Sequence, residues 1–435
     1  MRSSICSAQG LGVLIVALSL AGCSGSGGAT PTPQSAAANG PQTRSLSDSR
    51  ASNDQCTQDG SRALRDAVRE RDCADHGRNA VEFAYVSDQD SHNVSGYAVD
   101  KVSGALVPLA GSPYPAGSGP IGITLDPSGE FAYVANTDSY DVSAYTVDPI
   151  TGALTAVSGS PFASGNRPKS VRVDPTGRFL YVPCGRSNTI WAYSIDAKSG
   201  SLSPIAGSPF AAGTGFPQAM AIDRTGKFAY VPGGPDNNVW AYTINATTGA
   251  LTPMTGSPFA AGVYPAKVAL HPTGKFAYVT NFGSSTISEY TVNVASGALT
   301  LSGTLATGIN PSSVAIDPTG KYAYVANGYS SDVSGYTIDA TSGALSPLMG
   351  SPFPAVPGFV TAGVAVDPMG RFAYVTNIGG IDKVSAFAIH GGVLSPVAGS
   401  PFATAFRPSD IVIARVHRSG DARRFGSAPG SPYDR

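Results

Sequence analysis

A hydrolytic site needs a base to deprotonate water and a donor for the oxyanion that forms. This chain offers few side chains for either role. Its repeated region holds three histidines, His92, His271 and His390, with His417 just beyond it. Its glutamates there are Glu130 and Glu289, with Glu82 at the entrance. Seven short segments have a more telling pattern: Pro120-Ile121-Gly122, Pro168-Lys169-Ser170, Pro217-Gln218-Ala219, Pro265-Ala266-Lys267, Pro311-Ser312-Ser313, Thr361-Ala362-Gly363 and Pro408-Ser409-Asp410. None contains histidine, and Asp410 is their only carboxylate. Arg167, Lys169, Arg172, Lys267, Arg407 and Arg415 lie in or beside them. Two readings stay open for these cations: scattered solvated charges, or a set attracting a carboxylate or phosphate. In the second reading Arg167, Lys169, Gln218, Lys267 and Arg407 bind the ligand, and Asp410 is a base or a salt-bridge partner.

Other constellations point to structure. Asp126, Asp174, Asp223, Asp317 and Asp367 each begin an Asp-x-x-Gly turn and recur once per repeat. That spacing keeps them apart, without the dense ligand pattern of a calcium loop, so turn capping is expected. His271 takes the same turn position, and Glu130 reads as a surface charge. Cys184 reads as a small buried side chain, and Trp191 and Trp240 as packing residues at matching strand positions. There is no zinc spacing, P-loop or dinucleotide fingerprint, so neither metal nor cofactor is expected. A formal net charge of -1 leaves no basic excess for nucleic acid.

The elements that must position these residues follow from repetition. An aromatic-x-Tyr-Val tetrad begins at Phe83, Phe131, Phe179, Phe228, Phe276, Tyr322 and Phe372. Gly-x-Leu begins at Gly104, Gly152, Gly200, Gly249, Gly297, Gly343 and Gly392. Gly-Ser-Pro-aromatic recurs in every copy but the fifth and leads out towards the next unit. In the third copy, strands are expected at Val171 to Asp174, Phe179 to Val182, Thr189 to Ile195 and Ser201 to Ile205. Turns at Asp174-Pro175-Thr176-Gly177 and Asp196 to Gly200 separate them. Four antiparallel strands repeated seven times predict an all-β, seven-bladed β-propeller over 81–416. The first copy lacks its innermost strand, and an extra first-strand pattern follows the seventh. Ser409 to Ala414 is therefore expected to complete the first blade, leaving no inner edge unpaired. A monomer is expected.

The flanks differ. Residues 1–22 read as a lipoprotein signal peptide: Arg2, the apolar run Leu11 to Leu20, then Leu20-Ala21-Gly22-Cys23. The last four resemble the bacterial lipobox, which implies lipidation of Cys23 and attachment to a membrane. An ordinary cleaved leader is the alternative. Residues 23–80 read as a flexible tether with a short helix at Ser61 to Arg71. Cys56 and Cys73 could pair in an oxidising compartment. Residues 417–435 read as a disordered tail.

Phe131-Ala132-Tyr133-Val134, Phe276-Ala277-Tyr278-Val279-Thr280-Asn281 and Phe372-Ala373-Tyr374-Val375-Thr376-Asn377 resemble YVTN-type propeller repeats. With Asp-Pro-Thr-Gly and Thr-Gly-Ala-Leu, they are similar to the β-propeller lactonase family over about Val81 to Ala414. The resemblance implies the fold and, as one option, 6-phosphogluconolactonase-like hydrolysis at the channel mouth. Family enzymes often place His and acidic residues there, and these segments have only Asp410. On that ground the expected function is a binding scaffold for a protein, peptide or glycan at the cell envelope, with lactone hydrolysis the alternative.

Overall fold

The computed structural model describes residues 80–213, 215–379 and 382–417. They form seven antiparallel sheets arranged as blades of one propeller. Blade three is typical. Its strands are Arg172–Val173, Phe179–Cys184, Thr189–Ile195 and Leu202–Pro204 from the centre outwards. The expected turn opens it: Asp174 Oδ1 accepts the N–H groups of Arg178 and Phe179 at 2.8 Å each. Gly177 there has φ of 72°, a left-handed conformation that glycine adopts without strain. All six residues of Phe179–Cys184 are buried, because the second strand packs between neighbouring blades on both faces.

The Gly-Ser-Pro motif corrects one expectation. It does not simply lead out. In six blades it turns the chain back, and a two-residue strand pairs with the third strand, as Phe210–Ala211 does with Thr189–Ile190. The motif serine fixes this return. Ser208 Oγ accepts the Ala192 N–H at 2.9 Å, and the corresponding bonds recur in the other five copies. Blade five lacks the motif, and its fourth strand runs unbroken over Leu299–Ala306.

The two most regular motifs prove to be halves of one inter-blade latch. The tetrad tyrosine of each blade donates its hydroxyl to the carbonyl of the Gly-x-Leu glycine in the next: Tyr85 to Gly152, Tyr133 to Gly200, Tyr181 to Gly249, Tyr230 to Gly297, Tyr278 to Gly343 and Tyr324 to Gly392. Tyr374 of blade seven donates to Gly104 of blade one at 3.0 Å, so the circle is complete. Burial makes each bond count, since an unpaired carbonyl there has no water to turn to.

Blade one is completed as the sequence predicts. Pro408–His417 pairs antiparallel with Ala80–Asp88, with Val86 opposite Ile411 and Tyr85 opposite Val412. A second bond set seals this seam. Arg371 of blade seven reaches Glu82 at 2.6 Å and its own Asp367 at 2.9 Å, and donates to the Lys101 carbonyl. Cys23, Cys56, Cys73, the tether, its short helix and the 418–435 tail lie outside the described residues, as does the side chain of His417.

Candidate active site at the channel mouth

The innermost strands all begin at one mouth of the channel, and the residue before each start is lifted onto the rim. Arg167, Phe216, Tyr264, Asn310 and Arg407 have φ of 58°, 50°, 54°, 55° and 59°. Each precedes a proline. Left-handed backbone is costly for side chains of this size, so the surroundings must enforce it. They do so through the preceding blade. Phe216 N–H donates to Asn188 Oδ1 at 3.0 Å, Tyr264 N–H to Asn237 Oδ1 at 2.8 Å, and Arg407 N–H to Asp382 Oδ2 at 2.8 Å.

Two residues into each strand the corresponding positions are Gly122, Ser170, Ala219, Lys267, Ser313, Gly363 and Asp410. Five are small. Where two are glycine, a Cβ would press on the next inner strand, at 2.8 Å from Ser170 Cα and 3.0 Å from the Ser409 carbonyl. The inner strands therefore sit close together, and the two long side chains stand out. Lys267 Nζ lies 3.2 Å from Asp410 Oδ2. Blades five and one are separated by blades six and seven, so this ion pair reaches across the channel. Its side chains keep 18% and 15% of their exposure, so the pair is largely but not wholly withdrawn from water. Burial pulls the Lys267 ammonium towards deprotonation, the adjoining Asp410 carboxylate opposes this, and Arg172 adds to it. Asp410 Oδ1 accepts the Ile411 N–H at 3.1 Å, and the Asp410 N–H donates to Ser87 Oγ at 3.1 Å.

The remaining predicted residues divide. Lys169 lies over the Phe216 ring, 5.6 Å from its centroid. Burial and the charges of Arg167 and Arg407 pull its proton affinity down, while Asp138 pulls it up. Arg167, Lys169 and Arg407 thus form one electrostatic neighbourhood on the rim. Gln218 Nε2 donates to the Phe216 carbonyl at 3.1 Å and reaches the Tyr264 hydroxyl at 3.4 Å. Arg407 turns outward to Asp90 at 3.5 Å. Arg172 is tied to the Met220 carbonyl of the next blade at 3.1 Å. Arg415 contacts Met369 Sδ near the opposite end of its strand and is not part of the mouth.

The mouth also holds groups that the seven segments did not reveal. His92 is exposed on the rim, and its Nδ1 accepts the Gly119 N–H at 3.1 Å. Asp90, Asp138 and Asp382 join Asp410 there. All four additions come from loops joining second and third strands, which fold back beside the next blade's entry. The signal was a second left-handed series, His92, Tyr140, Asn188, Asn237, Ser285 and Ser331, legible only as a fixed offset after each tetrad.

Elsewhere the chemistry is spent on structure. The turn aspartates use both carboxylate oxygens within their own turns, as Asp223 does with Thr225, Lys227 and Phe228. His271 bonds Thr273 and reaches the Gly320 carbonyl of blade six at 2.8 Å. Burial pushes the Cys184 thiol up to about 12, which keeps it unreactive. Glu289, partly protected from water and raised by burial, accepts the Leu345 N–H of blade six. Among the described residues no three His, Cys, Asp or Glu side chains are grouped to hold a metal.

Known proteins resemble this chain chiefly in architecture. The family model described as lactonase, 7-bladed beta-propeller, matches residues 81–262 and 168–361, together more than half the chain. No curated protein matches in sequence. A Bacteroides fragilis structure assigned as a 6-phosphogluconolactonase superposes with a TM-score of 0.68 at 19% identity, covering 78% of this chain and 99% of that one. The periplasmic gluconolactonase of Pseudomonas aeruginosa gives 0.67 at 19% identity, covering 78% and 100%. A chain of the Kuenenia stuttgartiensis hydrazine synthase gives 0.53 at 19% identity, covering 68% of this chain and 95% of that one. At such identities the likeness is one of fold, which hosts more than one chemistry.

Proposed function

The chain belongs to the seven-bladed β-propeller lactonase family, and from that premise we propose that its channel mouth hydrolyses a lactone. One observation carries the reading: the only two charged side chains in the inner ring of seven positions meet across the channel at 3.2 Å. Asp410 takes a proton from water as the water oxygen attacks the lactone carbonyl. Lys267 stabilises the negative charge that develops on the carbonyl oxygen. Collapse breaks the ring C–O bond, and the proton held by Asp410 passes to the departing alkoxide. The product is a hydroxy acid, and the carboxylate is restored. Asp410→Asn should lower turnover of δ-gluconolactone, followed in a pH-stat, by about 10²-fold or more. Because burial depresses Lys267, the rate should fall with rising pH before the ordinary lysine range is reached. A wild-type protein without turnover on a panel of sugar and aliphatic lactones would defeat the reading.

A second reading is favoured by the same pair. A carboxylate already capped by an ammonium is a weaker base, which suits a scaffold presenting this mouth to an envelope protein, peptide or glycan. We infer in addition that the protein is exported and tethered by lipid on Cys23. Cys23→Ser should move it from the membrane to the soluble fraction and abolish labelling by a fatty-acid analogue. An unchanged distribution would refute the anchor.

A further inference from the structure

The lip of the mouth over blades five and six carries a line of aromatic rings that the proposed hydrolysis does not use. Tyr264 and Phe282 have centroids 6.2 Å apart, and Phe282 and Tyr329 6.3 Å apart, with planes tilted by 57° and 59°. Backbone bonds fix the line to the mouth: Phe282 N–H donates to the Tyr264 carbonyl, and Tyr329 N–H to the Ile309 carbonyl. Tyr329 is 65% exposed and Tyr264 37%, whereas the tetrad tyrosines are fully buried. Large rings left open to water beside a channel call for an occupant. On the lip over blades one to three, Arg167 and Lys169 lie close enough to influence one another, with Asp138 nearby and with Arg407 already paired to Asp90. The two halves meet where Lys169 overlies Phe216.

We propose that this lip is a binding track for an acidic oligosaccharide, a uronic-acid chain. Three features select that class. Adjoining ring centroids lie 6.2 and 6.3 Å apart, so neighbouring units of one oligosaccharide can meet neighbouring rings. A pyranose presents an apolar C–H face to a ring and hydroxyls at its edge; the tyrosine hydroxyls and the Gln218 amide, 3.4 Å from Tyr264, meet those edges. Carboxylates along the ligand match the guanidinium and ammonium groups of the opposite lip.

Calorimetric titration of the full chain at low salt tests this without turnover, so it stands apart from the hydrolysis reading. The ligands are tetragalacturonate, galacturonate and neutral cellotetraose. Tetragalacturonate should bind at least tenfold more tightly than either of the others. The Phe282→Ala/Tyr329→Ala double variant should bring tetramer and monomer affinities within about twofold of each other. Arg167→Gln/Lys169→Met should remove the preference for the acidic tetramer and most of its salt dependence. These are rim positions, and an unchanged melting temperature will show that each variant is folded. Equal wild-type affinity for monomer and tetramer, an aromatic double variant that binds like the wild type, equal binding of cellotetraose, or no binding of tetragalacturonate would each overturn the proposal.

Discussion

Asp88 shows how one exchanged side chain sets a pH dependence. At the end of the second strand, blades two, five, six and seven carry Asn136, Asn281, Asn327 and Asn377, and blade one carries Asp88. Asp88 is wholly buried. It accepts bonds from the Ser95 N–H at 3.1 Å, the Ser95 hydroxyl at 2.7 Å and the Thr404 hydroxyl at 3.0 Å. Burial outweighs these bonds, and with Asp382 nearby the carboxyl is pushed up to about 7 from 3.8. Between those values the folded chain holds a proton that the unfolded chain has lost. Stability from this group is therefore complete below about pH 4 and declines as pH rises towards 7. Asp88→Asn should remove that decline and stabilise the protein by about 1–2 kcal/mol at pH 8, the nominal shift being discounted for relaxation. Melting temperatures from pH 4 to 8 decide it: a wild-type and variant pair with parallel profiles would contradict the assignment.

At the scale of the element, the latch between blades explains why two motifs far apart in the repeat are so regular. The glycine of Gly-x-Leu does two things at once. Gly249 has φ of 74°, and a Cβ there would lie 2.5 Å from Phe179 Cδ1 of the preceding blade. Its carbonyl meanwhile accepts the Tyr181 hydroxyl at 2.8 Å. Tyr181→Phe leaves a buried carbonyl unpaired and should cost about 1–3 kcal/mol. Gly249→Ala adds backbone strain to a clash with Phe179 and should cost about 2–6 kcal/mol. Denaturant titration of both variants checks the order; an alanine variant no less stable than the phenylalanine one would mean that the glycine is not needed for the close approach. The same comparison shows what a sequence can reveal. Turn aspartates, tetrads and glycines are locally determined, and their spacing is enough to define the blade. The returning Gly-Ser-Pro strand was not legible, because its partner is the third strand, some twenty residues away. Nor was the full rim: His92, Asp90 and Asp382 reach the mouth only through loops whose left-handed residues have no common side chain. Lys267 and Asp410 were legible as candidates, but their meeting depends on the closure of the ring, which no segment encodes alone.

For the whole molecule, closure makes the site and the stability one question. Pro408–His417 supplies the inner edge of blade one and also delivers Asp410 to Lys267. Without it, Ala80–Asp88 would offer an open strand edge to other molecules. It would also leave Ser87 without the Asp410 N–H, and Asp382 without the Arg407 N–H. The seam between blades seven and one would then keep Arg371 with Glu82, Tyr374 with Gly104, Tyr97 with the Ala403 carbonyl and Thr404 with Asp88, and would lose every bond made by the last strand. A chain ending after residue 404 should therefore lose cooperative unfolding and aggregate. Moving the strand rather than deleting it separates topology from mere presence. A permutant in which residues 405–417 are joined through a short glycine–serine linker ahead of residue 80, with the chain ending at residue 404, keeps the register Val86 to Ile411 while replacing a non-covalent closure by a hairpin. Its seam must then be held between residues 404 and 405, where the chain has been cut, by Thr404 on Asp88 and by Arg407 on Asp382. Scanning calorimetry should show one transition for the permutant, close to that of the parent, and a broad or absent one for the truncated chain. If truncation left a sharp transition of unchanged midpoint, the last strand would be a passenger, and the Lys267–Asp410 pair could not owe its geometry to the ring.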